Sequence, residues 1–285
     1  MLFAQSILLA AGLQRLPRRR LDHWSRKQTD GQCRCFLQQR RVMIEKELAV
    51  STKHGLMPTF IAHPSDGSPH SAIIFYMDAP GIREELRVMA RRIARQGYYC
   101  ILPDLYYRLG TLRFDTHRRD DAMSTVIKTV RQSLRNTTVM DDTAAIFSFL
   151  DGQEAVKSGK AATIGYCMSG QFVVSAAARF PERIASAVSL YGMGIVTDKE
   201  DSPHHLVERI KGELYLGFAE VDPVVPDHVL PQLRTALDKA GTKYEMHQFP
   251  GTHHGFCFVE RQVYDWQAAE EAWAKQFALW RRTLA

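Results

Sequence analysis

The sequence predicts an α/β fold with a mainly parallel sheet covered by helices on both faces. Short, fully apolar runs typical of buried parallel strands alternate with amphipathic helical segments over most of the chain. An apolar content of 45% in 285 residues is sufficient for one large core. We find no internal repeat and no linker-like stretch after residue 42, so a single domain over residues 43 to 285 is predicted.

The predicted elements follow in a regular order. The segments MIEKELAVST and LMPTFIAHP, separated by KHG, predict an antiparallel hairpin at the start of the domain. The hairpin is followed by strands at AIIFYM, YYCILPD, AATIGY, IASAVSLYG, GELYLGFA and KYEMHQFPG. Helices are predicted at REELRVMARRIARQG, DDTAAIFSFLDGQ, QFVVSAAARF and PQLRTALDKAG, and a final helix carries Trp273, Phe277, Trp280 and Leu284. Residues 109 to 138 are basic and weakly periodic, which favours a helical excursion.

Positive charge is concentrated at the N-terminal end. Residues 1 to 42 hold nine Lys and Arg against two Asp, so the formal charge of +6 leaves −1 for residues 43 to 285. A near-neutral domain predicts no nucleic-acid partner. The apolar stretch at residues 2 to 16 precedes its basic cluster, the reverse of a secretory signal, and is too short to span a bilayer. We interpret residues 1 to 42 as an extension that adds nothing to the fold, with organellar targeting as the alternative.

A tight strand-to-helix junction, IGYCMSGQ, occupies residues 164 to 171. It has the form of the nucleophile elbow G-x-S-x-G, with Cys167 in the place of serine and Ser169 in that of the second glycine. Such a turn needs small residues at Gly165 and Ser169, lifts the sulfur into the open and directs the next helix N-terminus at it, which favours a thiolate. Taken alone, the motif also fits a cysteine that packs as a small hydrophobe.

Two further motifs follow the ends of later strands. Asp222 comes after GELYLGFA, and His253 and His254 come after KYEMHQFPG. Because the carboxyl ends of parallel strands meet at one edge of a sheet, these side chains are expected to converge with Cys167. A cysteine nucleophile needs a base, and the base needs an orienting carboxylate; nucleophile, acid and base occur here in the chain order of α/β-hydrolases.

Together with MDAPGIR and LPDLYYR, the motifs GYCMSG, VDPVVP and HHGF resemble the dienelactone hydrolase family, from about residue 43 to the C-terminus. The resemblance implies the α/β-hydrolase fold and cleavage of a carboxylic ester or lactone. It implies Cys167 as nucleophile, Asp222 as orienting acid and His254 as base, since the family's histidine directly precedes Gly-Phe or Ser-Phe. His253 is the alternative base.

The resemblance also implies an oxyanion hole. Its two donors would be the backbone N–H of Met168, after the nucleophile, and that of Ala79, in the loop after AIIFYM. Pro80 has no N–H to offer, which agrees with Ala79 as the donor.

The chain departs from the family at two positions. Asp78 stands where the dienelactone hydrolases carry a glutamate implicated in thiol activation, so Asp78 either activates the thiol or only holds its loop. Phe258 stands where those enzymes carry an arginine for the substrate carboxylate. Other arginines could bind the substrate carboxylate instead, although each could also be an ordinary surface charge. These are Arg83, Arg108, Arg118 and Arg119. Aromatic residues that line the pocket or pack the core are Tyr106, Tyr107 and Tyr191.

The predicted function is therefore a hydrolase acting on a small ester or lactone through a thioester. The alternatives are a silent ligand-binding protein with the same fold, and a redox-responsive thiol protein with Cys257 as the resolving cysteine. The sequence shows no motif for a cofactor or metal, and neither is expected. Five scattered cysteines suit a reducing compartment, so a cytoplasmic location without membrane association is expected. The oligomeric state is not specified by the sequence.

Overall fold

The computed structural model describes residues 42 to 285 as an eight-stranded sheet with six α-helices. The strands are β1 (Met43–Thr52), β2 (Gly55–Pro64), β3 (Ala72–Tyr76), β4 (Tyr99–Pro103), β5 (Ala161–Tyr166), β6 (Ile184–Leu190), β7 (Glu213–Val221) and β8 (Tyr244–His253). The helices are α1 (Glu84–Arg95), α2 (Asp121–Arg131), α3 (Asn136–Asp151), α4 (Gly170–Arg179), α5 (Val229–Ala240) and α6 (Trp266–Thr283). The interpretation of residues 1 to 42 as an extension stays a prediction, because residues 1 to 41 lie outside the described residues.

The strand order across the sheet is β1-β2-β4-β3-β5-β6-β7-β8. β1 and β2 pair antiparallel, as the predicted hairpin requires, and β2 pairs antiparallel with β4. The remaining neighbours, from β4 through β8, pair in parallel. The predicted α/β fold with a mainly parallel sheet is confirmed, and the carboxyl ends of the parallel strands share one edge.

Helices pack on both faces of the sheet, as the buried strand pattern predicts. On one face, the Tyr76 hydroxyl shares a 2.8 Å hydrogen bond with Thr143 of α3, and its ring contacts Phe172 of α4. On the other, α1 and α6 are joined by an ion pair of 2.6 Å between Arg92 and Glu270. β3 and β5 are buried along their whole lengths between these layers.

Several element bounds differ from the sequence prediction: β7 continues to Val221, and β8 includes His253, which the sequence pattern places after the strand. α3 begins at Asn136 rather than at Asp141, because the predicted excursion over residues 109 to 138 contains α2 and the first turn of α3. α6 ends at Thr283, so Leu284 lies just past the helix, although it is buried. No helix among residues 42 to 285 combines the length and the apolar character needed to cross a membrane.

Candidate active site

Cys167 lies at the tip of a sharp turn between β5 and α4. The turn is a single 3-10 turn, Cys167–Ser169, and Cys167 has a φ of 53°, a conformation that residues with a side chain rarely adopt. A Cβ added to Gly165 would lie 2.8 Å from Ser169 Cβ and 2.8 Å from Val173 Cγ2. Both distances are shorter than side-chain contacts allow, so the elbow requires glycine at position 165, as its motif predicts.

The loop after β6 closes over this turn. Met193 N–H donates to the Cys167 carbonyl at 2.8 Å, and Gln171 N–H donates to the Met193 carbonyl at 3.1 Å. The Met193 thioether lies 3.6 Å from Cys167 Sγ, which donates to it. Cys167 is consequently only 7% exposed. The sulfur therefore stands at the tip of the elbow, but it is covered rather than lifted into the open as the motif alone suggests.

Asp222 and His254 form a close pair at the ends of β7 and β8. His254 Nδ1 lies 2.7 Å from Asp222 Oδ2 and 2.9 Å from Oδ1, and both side chains are largely buried. Asp222 Oδ1 also accepts the N–H groups of Val224 at 2.9 Å and Val225 at 3.2 Å. The carboxylate is thus fixed by its own loop and directs Nδ1–H toward itself, so Nε2 is the imidazole nitrogen available for proton transfer.

The imidazole responds to both this carboxylate and the thiol. Burial by itself lowers the pKa of His254, but Asp222 and Cys167 together raise it to about 9. Cys167 therefore lies within electrostatic reach of the ring. Among the described residues Nε2 has no hydrogen-bond partner, and Sγ donates to Met193 instead. The contact between sulfur and Nε2 is thus looser than a hydrogen bond in this structure.

His253 lies outside this arrangement. It is the last residue of β8, is exposed, and pairs with Val221 in the β7–β8 ladder. The structure therefore brings His254, and not His253, together with Asp222 and Cys167.

The two N–H groups of the expected oxyanion hole have no acceptor in the part of the chain that the structure describes. Within residues 42 to 285, neither the Ala79 N–H nor the Met168 N–H donates a hydrogen bond. Their two segments are tied together, because Ser169 Oγ donates to the Met77 carbonyl and the Tyr106 hydroxyl lies 2.8 Å from the Ala79 carbonyl and 3.5 Å from Met168 Sδ. Both donors remain free for an oxygen that enters the site.

Asp78 is fully buried between two guanidinium groups. Arg83 Nη1 lies 2.6 Å from Asp78 Oδ1, and Arg261 Nη2 lies 3.3 Å from Oδ2. Arg83 also pairs with Glu85 at 2.8 Å and with Glu260 at 3.1 Å. This charge cluster joins the loop after β3 to the loop after β8. Its geometry favours the loop-holding alternative for Asp78, and it leaves the Arg83 side chain, 9% exposed, engaged by three carboxylates.

Phe258 lies inside the same cluster. The Arg83 and Arg261 guanidinium carbons lie 5.0 and 5.1 Å from the centre of its ring. The residue that departs from the family pattern therefore packs against two cations, and one of them, Arg261, is a site arginine that sequence reasoning missed. The sequence feature that could have identified Arg261 is its position three residues after Phe258, which stands where the family carries an arginine.

Arg108 and Tyr191 are also committed to internal contacts. Arg108 Nη2 lies 2.6 Å from the buried carboxylate of Asp142, which also accepts from the Tyr107 hydroxyl at 2.8 Å. The Tyr191 ring meets the His254 ring edge to face, with 5.0 Å between centres, and is fully buried. These contacts disfavour direct substrate binding by either residue and give Tyr191 a role in supporting the imidazole.

The remaining candidate arginines, Arg118 and Arg119, lie on the surface. Arg118 is 87% exposed and lies 3.5 Å from Asp115, and Arg119 Nε donates to Ser124 Oγ at 3.0 Å. These contacts favour the alternative that both arginines are ordinary surface charges.

A second residue that sequence reasoning missed is Arg131, the last residue of α2. Arg131 Nη1 lies 3.6 Å from Met193 Sδ, the atom that contacts Cys167 Sγ. No carboxylate within residues 42 to 285 forms an ion pair with it. The weak periodicity of residues 109 to 138 carried no signal for either the helix face or this contact.

A cavity of about 610 Å³ lies beside the charge cluster. Arg83, Glu260 and Arg261 form one wall and residues 116 to 124 form another. Cys167 and His254 do not line it, so its volume does not describe the space around Cys167. No group of three or more His, Cys, Asp or Glu side chains within the described residues is placed to hold a metal ion.

Comparison with known proteins places the chain in a family. The model of the dienelactone hydrolase family matches residues 57 to 284. A Synechocystis protein provisionally named carboxymethylenebutenolidase is 26% identical over 228 residues, which cover 79% of this chain and 91% of that protein. An Escherichia coli K12 protein with the same provisional name is 29% identical over 230 residues, covering 77% and 80% of the two chains.

Solved structures share the fold. A Klebsiella pneumoniae protein, provisionally described as a dienelactone hydrolase, superposes with a TM-score of 0.76 at 23% identity and covers 84% of this chain and 99% of its own. The dienelactone hydrolase of Anabaena variabilis superposes with a TM-score of 0.62 at 14% identity, covering 85% and 98%. With the family match over most of the described residues, the chain belongs to the dienelactone hydrolase family of α/β-hydrolases and is a hydrolase of carboxylic esters or lactones.

Proposed function

We propose that the enzyme cleaves its ester or lactone through a thioester on Cys167, with His254 as the base and Asp222 as its orienting acid. The observation that carries the proposal is the 2.7 Å contact between His254 Nδ1 and Asp222 Oδ2, which leaves Nε2 without a partner among the described residues. That is the arrangement a nucleophile, base and orienting carboxylate need for acyl transfer.

The reaction follows from these positions. His254 accepts the thiol proton, and the thiolate adds to the substrate carbonyl carbon while the carbonyl electron pair moves to oxygen. The N–H groups of Ala79 and Met168 stabilise that oxyanion. When the electron pair returns, the C–O bond to the leaving group breaks, and His254 gives the leaving oxygen its proton. Water, deprotonated by His254, then attacks the thioester and releases the acid and the thiol.

The raised pKa of His254 suits this sequence of proton transfers. A pKa of about 9 favours the protonated imidazole at neutral pH, so His254 holds the proton that it accepts. An imidazolium can protonate the leaving oxygen promptly. A lactone requires this because its leaving group stays tethered to the acyl part and otherwise recaptures it.

We further propose that the substrate carries a negative charge on its acyl part. Arg131 supports this proposal. Its guanidinium contacts Met193, which lies against Cys167, and no carboxylate within residues 42 to 285 pairs with it. Arg83, Arg108 and Arg261, in contrast, are already paired with buried aspartates. A substrate carboxylate that displaces Met193 would meet the Arg131 guanidinium, which no carboxylate of the described residues neutralises.

The central test compares the wild type with Cys167→Ala, His254→Ala and His253→Ala on activated esters and cyclic lactones, with mass spectrometry of trapped protein. We expect an acyl adduct on Cys167 in the wild type, loss of turnover in the first two variants, and normal turnover in His253→Ala. Turnover that persists in Cys167→Ala would overturn the proposal. Saturable binding without any product would support a silent binding protein instead.

The redox-responsive alternative requires a disulfide between Cys167 and a resolving cysteine. The candidate, Cys257, is poorly suited to this because it is 5% exposed and burial raises the pKa of its thiol. We therefore expect peroxide treatment to produce no disulfide between these two residues in non-reducing peptide mapping.

The substrate charge is tested with Arg131→Gln and Arg118→Gln, the latter a matched change at an arginine that is 87% exposed. Loss of a hydrogen bond to a charged group costs about 1.5–3 kcal/mol, so we expect Arg131→Gln to reduce kcat/KM roughly tenfold or more for 4-nitrophenyl hemisuccinate. Neutral 4-nitrophenyl butyrate should be unaffected, as should both substrates in Arg118→Gln. Equal losses of kcat/KM on both esters would refute the proposal that Arg131 recognises a negative charge on the substrate.

A further inference from the structure

We propose that Tyr106 is a positioning residue for the oxyanion hole, whose hydroxyl holds the peptide after Ala79 so that the Ala79 N–H faces the reacting carbonyl oxygen. The inference rests on the proposed hydrolase function, because it assumes that Ala79 and Met168 supply the two donors. Tyr106 itself is not expected to touch the substrate.

The loop after β3 fixes one side of Ala79 by its own hydrogen bond. Gly81 N–H donates to the Asp78 carbonyl at 2.9 Å, which closes a tight turn, and Gly81 takes a φ of 78°. The peptide between Asp78 and Ala79 is trans and planar, so its carbonyl and its N–H point in opposite directions. A carbonyl directed into the turn therefore directs the Ala79 N–H out of it.

The other side of Ala79 has no such internal support. Its peptide joins Ala79 to Pro80, which has no N–H, so the Ala79 carbonyl is the only hydrogen-bonding group of that peptide. Within residues 42 to 285, the Tyr106 hydroxyl, at 2.8 Å, is the one group that donates to it. Removing this hydroxyl frees the peptide to rotate about the bonds that flank the Ala79 Cα.

Tyr106 is well placed to act as a rigid support. It is 1% exposed, its N–H donates to Asp104 Oδ1 at 3.1 Å, and a Cβ on Gly81 would lie 3.4 Å from its ring. Its hydroxyl also lies 3.5 Å from Met168 Sδ, so one oxygen contacts both residues whose N–H groups form the hole.

The phenol remains a hydrogen-bond donor at all working pH values. Burial, with the charges of Asp78 and Cys167, raises the pKa of Tyr106 above its ordinary value. The single hydroxyl proton goes to the carbonyl, since an amide oxygen is a stronger acceptor than a thioether sulfur.

The test uses Tyr106→Phe with Tyr76→Phe as the matched control. Tyr76 is also fully buried and also loses one hydrogen bond of 2.8 Å, but its hydroxyl bonds to Thr143 of α3 and not to Ala79 or Met168. Three rates or affinities are measured: kcat/KM for 4-nitrophenyl acetate, inhibition by 1,1,1-trifluoroacetone, and alkylation of Cys167 by iodoacetamide. Thermal unfolding is recorded for both variants to compare their stability.

The three readouts separate positioning from general damage. Hydrolysis and the trifluoroacetone adduct both place a negative oxygen in the hole, whereas alkylation displaces iodide and forms no oxyanion. Loss of a whole oxyanion donor costs about 10²- to 10³-fold, so a donor that is present but misdirected should cost about tenfold or more. We expect Tyr106→Phe to lower kcat/KM and weaken trifluoroacetone by similar factors, with alkylation unchanged and all three normal in Tyr76→Phe.

Two results would overturn the inference. One is hydrolysis by Tyr106→Phe at the wild-type rate. The other is an equal fall in alkylation, which would show that the change acts on the thiol. Neither result affects the proposed function, which fails only if Cys167→Ala still hydrolyses the ester.

Discussion

Replacing Asp78 with asparagine tests whether this carboxylate holds a loop or activates the thiol. Asp78 is fully buried, and its two oxygens lie 2.6 and 3.3 Å from the guanidinium nitrogens of Arg83 and Arg261. Breaking a buried ion pair costs about 3–5 kcal/mol. Arg83 keeps Glu85 and Glu260 as partners, so the lower end, about 3 kcal/mol, is expected. For a domain of this size that corresponds to a fall in Tm of roughly 6–12 °C.

The assay pairs calorimetry with the pH dependence of Cys167 alkylation. Asp142→Asn is the matched control, because Asp142 is also fully buried and pairs with Arg108 at 2.6 Å away from the thiol. We expect both variants to lose stability and both to keep the wild-type alkylation profile. If Asp78→Asn instead shifts that profile while its Tm hardly changes, Asp78 acts on the sulfur and the loop-holding account is refuted.

Three further outcomes are expected. Gly165→Ala should destabilise the fold by about 1–3 kcal/mol or prevent folding, measured by urea unfolding, since its Cβ would lie 2.8 Å from Ser169 Cβ; unchanged stability would contradict the elbow geometry. Asp222→Asn should lower kcat by about 10⁴-fold, and NMR titration should show a lower pKa for His254; an unchanged titration would exclude Asp222 as its partner. Because the folded-state pKa of His254 is raised from 6.5 to about 9, its contribution to stability should be complete below pH 6.5 and disappear as pH rises through 9. The free energy of unfolding in urea should therefore decrease between pH 6 and pH 10, and the decrease should be smaller in Asp222→Asn. An increase over this pH range would contradict the raised pKa of His254.

The sequence was informative about the site where chemistry depends on chain order. Cys167, Asp222 and His254 each follow an apolar strand, and parallel strands bring their carboxyl ends together whatever the intervening sequence contains. The crowding at Gly165 is equally local, because it arises from Ser169 and Val173, which follow shortly after it in the sequence. Periodicity and motif spacing contain this kind of information, so the fold class and the elbow could be read before any coordinates.

The roles of the cations could not be read in the same way. Arg261 and Asp78 are 183 residues apart in sequence, and nothing in either segment indicates that they meet. Arg83 and Arg108 stand next to predicted strand ends, as a substrate-binding arginine would, yet buried carboxylates on other elements neutralise them. Whether an arginine is free or paired depends on tertiary contacts, and only the structure supplies those.

The contact of Met193 with Cys167 could not be predicted from the sequence, for a different reason. A methionine in a short loop after a buried strand is indistinguishable from ordinary core packing. Its significance comes from the 3.6 Å contact of its sulfur with Cys167 Sγ, which depends on the loop after β6 folding back over the elbow.

The thioether over Cys167 has a consequence for how the enzyme survives between turnovers. Because Cys167 is 7% exposed and its sulfur contacts the Met193 thioether, dissolved oxidants and electrophiles should reach that sulfur more slowly than they reach an exposed thiol. Methionine is flexible and unbranched, so we expect a substrate with enough binding contacts to displace it. Bound substrate should therefore expose Cys167 more fully than it is exposed in the free protein.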